Sequence, residues 1–241
     1  MERQATLWLE PLPALGGVHA SAEEASLAGL SGQERAWAAR LAPLLRQRYA
    51  ASRCLMRQRL APLLGCSPER VPLDSPPGSR PRLQEGAGWL SLSHSGAALL
   101  LAWSPRPIGV DLEWSGRVVA AAALQQRYFP ALERQQLQAL PAAELRLAVL
   151  RSWVVKEAAI KWRGETLASD LRHWSWDERC GSLRHGREGL APPVVIRQLT
   201  GWLCAAVGEG VAAARWAEPL GPLPRLPTTP ARARGQVLEK S

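Results

Sequence analysis

The chain has 241 residues, 46% hydrophobic and 21% charged, which suits a globular protein of one large domain or two small ones, each able to bury a core. No apolar run approaches the roughly 20 residues needed to cross a bilayer, and Glu2 and Glu10 punctuate an N-terminus with no apolar stretch before a cleavage site, so neither a membrane span nor a signal peptide is expected and the protein is placed in the cytoplasm. A net charge of +9 favours an anionic partner: nucleic acid, a phosphorylated cofactor or an acidic protein.

Residues 5–10 ("ATLWLE") read as a short strand, followed by a loop and a weak helix to about residue 30. Ser31 is a helix N-cap candidate with Glu34 three residues on. A long helix follows from about Pro43 to Leu64, with Leu45, Tyr49, Met56, Leu60 and Leu63 as its buried face. Arg46, Arg53 and Arg57 line one edge of that face, either as solvated stems covering the core or as a phosphate-binding edge. Residues 71–83 are turn-rich, residues 88–105 read as a hairpin with its turn at His94 to Gly96, and residues 106–114 as a further strand. A helical region over about residues 118–161 breaks near Pro130 and Pro141, and "HWSWDE", "PVVIRQL" and "GWLCAAVG" read as strands. Each half of about 105 residues runs from helix to strands, which suggests an α+β duplication; the basic, Pro-rich tail after about Glu218 is expected to be disordered.

Cys54, Cys66, Cys180 and Cys204 form no C-x-x-C pair and have no histidines at zinc spacing, so they are read as free thiols. His19, His94, His173 and His185 are scattered, which speaks against an imidazole metal site. Only three of the 30 basic residues are lysine, Lys156, Lys161 and Lys240, and two of these fall in "WVVKEAAIKW". Lysine is a compact rotatable donor and arginine a rigid fork, so this segment marks places where the fork does not fit.

On a strand, Asp111 and Glu113 of "GVDLEW" project from one face. They are either two solvent-facing acids or a pair awaiting a hard cation such as Mg²⁺. On a helix, Trp153, Glu157 and Lys161 share a face, and apolar neighbours all round mark that helix as buried. The charges are either a surface Glu–Lys pair or groups needing partners in the interior. If Glu157 reaches the Asp111–Glu113 pair, three carboxylates complete a magnesium site and Lys156 and Lys161 are left to hold phosphate oxygens, a constellation for phosphoryl transfer. His94 in "SLSHSG" is either structural or part of the same site.

In this order the motifs resemble those of the 4'-phosphopantetheinyl transferases in their larger, two-lobed class. The matches are "GVDLE" (109–113), "WVVKEAAIK" (153–161) and "SLSHSG" (91–96), with weaker ones in "SRCLMR" (52–57), "GSRP" (78–81) and "YFPALE" (128–133). The resemblance covers residues 31–207. It implies an α+β fold of two similar lobes, residues 1–105 and 106–217, with coenzyme A in the cleft between them and residues 218–241 as a tail. It implies that Asp111, Glu113 and Glu157 coordinate Mg²⁺, or Mn²⁺ in its place. Glu157, or a water it holds, would deprotonate a carrier-protein serine, and Lys161 would offset charge on the pyrophosphate. Ser93 and His94 would contact the coenzyme's phosphates, Arg53 and Arg80 its nucleotide end, with Arg35 a weaker candidate and Lys156 a further coenzyme-binding residue. The implied partners are acidic apo carrier proteins met by a monomer, with no nucleic acid and no membrane. The chain departs from the family's usual G-K-G after the second lysine, where it reads "GETL", and "GSRP" has arginine where lysine is common. The alternative is a basic nucleic-acid-binding module, which explains the charge and the 11 tryptophans and leaves the buried Lys–Glu helix unexplained.

Overall fold

The structure is a computed structural model that describes residues 3–13 and 20–224. The expected disorder of the tail therefore falls mostly, from residue 225 on, outside the described residues, and His19 lies outside them too. The fold is α+β. Its first half runs β1 (Thr6–Pro11), α1 (Ala20–Ala28), α2 (Gly32–Ala38), α3 (Pro43–Leu64), β2 (Leu73–Asp74), β3 (Arg82–Leu83), β4 (Trp89–Ser95) and β5 (Ala98–Ser104). The second runs β6 (Gly109–Trp114), α4 (Ala121–Tyr128), α5 (Ala131–Gln138), α6 (Ala142–Arg163), α7 (Leu167–Asp170), β7 (Trp174–Asp177), β8 (Ser182–His185), β9 (Val194–Leu199), β10 (Trp202–Val207) and β11 (Arg215–Ala217).

Local signals set the helix boundaries. Ser31 caps α2 in a reciprocal box: Glu34 N–H donates to Ser31 Oγ at 3.2 Å and Ser31 N–H to Glu34 Oε2 at 2.9 Å. Proline fits the first turn of a helix because its missing N–H has no partner there. Pro43 accordingly opens α3, and Pro130 and Pro141 stand just before α5 and α6, where the helical region was expected to break. Both long helices end on a left-handed glycine, Gly65 (φ 69°) and Gly164 (φ 79°).

The two halves repeat one topology. The first sheet has the order β1-β5-β4, extended by β11, which pairs in parallel with β1; the second has the order β6-β10-β9. Helix α3 covers one face of the first sheet through Met56 and Leu60 against Trp8, Leu99 and Leu101. The other face meets the second sheet in a central core of Leu7, Leu9, Leu100, Val110, Leu112 and Cys204. Helix α6 covers the far face of the second sheet, where Val155 and Ala159 pack with Leu203 and Ala205. Between the halves, alternate serines of β4 replace a backbone ladder. Val110 N–H donates to Ser91 Oγ at 2.9 Å, and Ser93 and Ser95 donate to Asp111 Oδ1 and Glu113 Oε2 at 2.5 and 3.2 Å.

Three expectations change. His94 lies in β4, paired with Leu99, and the turn is Gly96–Ala97 with Gly96 at φ 54°. The ladder continues to Ser95 because glycine alone supplies the positive φ the reversal needs. Leu45 is 60% exposed, since the first turns of α3 extend past the core. Arg57 is no solvated edge: its guanidinium is buried against Glu34 at 2.6 Å. The hairpin strand β8 and the strand β11 carry no periodicity long enough to read in advance.

Candidate active site

Gly109, which opens "GVDLE", explains how a strand and a helix come close enough to build a site. A Cβ there would collide with the Ala158 carbonyl and the Trp162 backbone nitrogen. Glycine thus lets β6 lie directly against α6. Asp111 and Glu113 stand opposite Ala205 and Leu203 in the β6–β10 ladder, on the face that α6 covers. Glu157 reaches the same layer from α6, and all three carboxylates are buried.

A cleft of about 1980 Å³ opens beside this layer, lined by residues of both halves of the chain. It exceeds the volume of a typical drug-sized pocket. Of the residues singled out in the sequence, Glu157, Lys161, Arg53, Arg80, Ser93 and His94 line it. Asp111 lies immediately behind the wall: its Oδ1 accepts from Ser93 and, at 2.7 Å, from Lys161 Nζ. Glu113 lies farther back, with Arg117 donating to its Oε1 at 2.6 Å.

Two residues are not brought to the cleft. Lys156 is fully buried on the side facing α5, where it pairs with Glu133 and lies 3.6 Å from the centroid of the Phe129 ring. Successive helical residues are about 100° apart, so a helix that turns Glu157 to the cleft turns Lys156 away. Arg35 is exposed on α2 and donates to the Leu30 carbonyl at 2.5 Å.

Arg48 is the cleft residue that sequence reasoning missed. Its Nη2 lies 2.8 Å from His94 Nδ1, and both side chains line the cavity. The signal was available: Leu45, Arg48, Tyr49, Ser52 and Arg53 follow helical spacing along one wall. Because Arg48 can only donate, His94 accepts at Nδ1 and carries its proton on Nε2. Arg53 is buried beneath, 4.8 Å from the Tyr49 ring centroid and donating to the Ser75 carbonyl and the Ser52 hydroxyl. Burial pushes its guanidinium down from the ordinary value, yet it stays charged at neutral pH. Burial, with Asp111 nearby, pushes the Cys204 thiol up to about 12, so that cysteine is inert.

The departure at "GETL" also has a structural account. Gly164 N–H and Glu165 N–H both close on the Ile160 carbonyl, ending α6, and Thr166 caps α7 by accepting from Ser169 N–H at 3.3 Å. Chain reversal and a helix cap occupy the place of the basic residue.

A family profile described as the 4'-phosphopantetheinyl transferase superfamily matches residues 107–200, which hold β6, α6 and the three carboxylates. That stretch of the chain is similar to the superfamily. The chain is 33% identical over 147 residues to the 4'-phosphopantetheinyl transferase HetI of Nostoc sp., covering 58% of this chain and 62% of that protein, which is less than two thirds of the relative's length. It is 28% identical over 188 residues to the putative 4'-phosphopantetheinyl transferase slr0495 of Synechocystis sp., covering 76% of this chain and 74% of that protein.

The superfamily implies a divalent cation, and three buried carboxylates are the hard oxygen donors such an ion takes. As placed, Lys161 and Arg117 compensate Asp111 and Glu113, and among the described residues no three His, Cys, Asp or Glu side chains converge on one point. The donor chemistry fits the ion. Lys161, which holds Asp111, keeps 28% side-chain exposure at the cleft wall.

Proposed function

We propose that this protein transfers the 4'-phosphopantetheine group of coenzyme A to a serine of an apo carrier protein, releasing 3',5'-ADP, with Mg²⁺ or Mn²⁺ held by Asp111, Glu113 and Glu157. The observation that carries this reading is the wall of the cleft. Glu157 and Lys161, one helical turn apart on α6, line a cavity that Arg48, Arg53, Arg80 and His94 also line. A carboxylate among several cations in one cavity suits a substrate that carries both a pyrophosphate and a phosphorylated nucleotide. When bound, the metal supplies positive charge across the pyrophosphate.

In this reading His94, donating from Nε2, Arg53 and Arg80 hold the coenzyme's phosphates, with Ser93 at the same wall. Arg48 orients His94. Lys161 exchanges Asp111 for a phosphate oxygen and offsets charge gathering there as the bond to the leaving group lengthens. Glu157, or a water it holds, takes the serine proton, so that the serine oxygen attacks phosphorus as an alkoxide. We read the halves as two lobes, residues 1–105 and 106–217, around a coenzyme site open to a carrier protein. Carrier proteins are acidic, and a partner of net charge +9 attracts them. The enzyme is read as a cytoplasmic monomer; no helix among the described residues is long and apolar enough to cross a membrane.

The test is mass spectrometry of a panel of apo carrier proteins incubated with the enzyme, coenzyme A and Mg²⁺. One phosphopantetheine should be added per carrier, and a chelator should stop it. Unchanged mass for every carrier refutes the reading.

A further inference from the structure

A spacing of 23 residues occurs twice in buried ion pairs. Helix α2 sets Glu34 against Arg57, and α5 sets Glu133 against Lys156. Each cation is the fifteenth residue of a 22-residue helix that ends on a left-handed glycine. Each carboxylate follows four residues after a buried apolar side chain, Leu30 in one half and Phe129 in the other. The surroundings, in contrast, do not repeat. The residue after Arg57 is the exposed Gln58, where α6 has Glu157, and the third position of β1 is Trp8, where β6 has Asp111. A pair kept where two of the three flanking carboxylates are gone belongs to the frame and not to a ligand site.

We propose that Lys156, together with Glu133 and Ser152, is a buried strut that positions Glu157 on the cleft wall, and that Lys156 makes no contact with the coenzyme. The proposal rests on the transferase reading of Glu157. Ser152 and Lys156 lie one turn apart on α6 and both donate to the Glu133 carboxylate, Ser152 to Oε1 and Lys156 to Oε2. Two rungs to one carboxylate fix both the rotation and the axial position of α6 against α5. Glu157 is the next residue along, so the direction of its carboxylate follows from that lock. Phe129 closes one side of the pocket around the ammonium.

Removing one member of a buried pair and removing both have opposite consequences, which separates a strut from a ligand. Lys156→Met leaves Glu133 buried without its counter-ion; Lys156→Met with Glu133→Gln leaves a neutral contact. Thermal melting, coenzyme A affinity by calorimetry and steady-state transfer are measured for both variants, well below their melting temperatures. The single variant should melt lower and lose about tenfold or more in kcat, with coenzyme affinity within about twofold of wild type. The double variant should recover both melting temperature and kcat. A tenfold loss of coenzyme affinity in the double variant makes Lys156 a ligand and overturns the proposal. A single variant with full kcat, fully folded, overturns the positioning role. If the wild-type protein itself transfers nothing, the transferase reading fails instead, and unchanged affinity with restored melting in the double variant still upholds the strut without its positioning role.

Discussion

In the first half Arg57 reaches Glu34 and the carbonyls of Pro68, Glu69 and Val71, whereas in the second half Lys156 reaches one carboxylate and the face of Phe129. Both cations occupy the same place in the repeated frame, and the number of acceptors around each decides its identity. The rigid fork finds four acceptors for Nε and Nη1 where Glu34 and the carbonyls in and after a 3-10 turn at Pro68–Arg70 surround it. The same fork would bury unpaired N–H groups beside a phenyl ring, at a cost of about 1–3 kcal/mol each. This is why a chain with so few lysines keeps one at position 156.

The strands of the two halves diverge in the same manner. Glu113 on β6 faces α6 beside Asp111, while Glu10 at the matching place on β1 pairs with Arg59 of α3 and accepts from Leu220 N–H at 2.8 Å. One carboxylate stands in the candidate metal set, and the other fastens the segment after β11 to the first sheet. The same strand position therefore serves the candidate site in one half and the scaffold in the other.

The largest expected effect breaks this asymmetry chemically. Glu157→Ala should lower transfer by about 10²–10⁴-fold, the usual contribution of a positioned acid–base group, while Gln58→Ala at the equivalent position leaves it unchanged; single-turnover assays on folded protein distinguish the two. Next in size is the first-half pair. Arg57→Met should cost about 3–5 kcal/mol in urea unfolding by stranding Glu34, and adding Glu34→Gln should return most of it. If Arg57→Met leaves stability intact, the frame argument fails in both halves.

The smallest effect concerns Tyr49, whose hydroxyl donates to the Ser75 carbonyl at 2.8 Å. Its place in α6 is taken by Ala148, which does not titrate. Burial is the main cause that raises Tyr49 from 10.0 to about 12. The folded protein then keeps this proton at pH values where the unfolded chain has lost it, so the contribution is complete below pH 10 and is lost as the pH rises from about 10 to 12. Tyr49→Phe should cost about 1 kcal/mol below pH 10, and the difference between it and wild type should shrink through that window in denaturant titrations.

Much of the site was legible because its signals are local. The alternation in "GVDLE" puts two carboxylates on one face, and the four-residue step from Glu157 to Lys161 puts both on one wall. The capping box at Ser31 and the prolines before α5 and α6 mark helix starts for reasons of backbone hydrogen bonding alone. The pairing of Arg48 with His94, the serine seam of β4 and the turn of Lys156 towards α5 were not legible. Each depends on which neighbour covers a face, and a periodic pattern names faces without naming their partners.

The sequence by itself determined the α+β class, the order of the longer helices and strands, and the residue types at the candidate site. These follow from apolar periodicity, capping and the scarcity of lysine and aspartate, which short-range physics is enough to interpret. Tertiary structure decided which charges meet the cleft and which serve the frame. Glu157 and Lys156 are adjacent in the chain and both buried, yet helical rotation and the packing of α5 send one to the cleft wall and the other to Glu133.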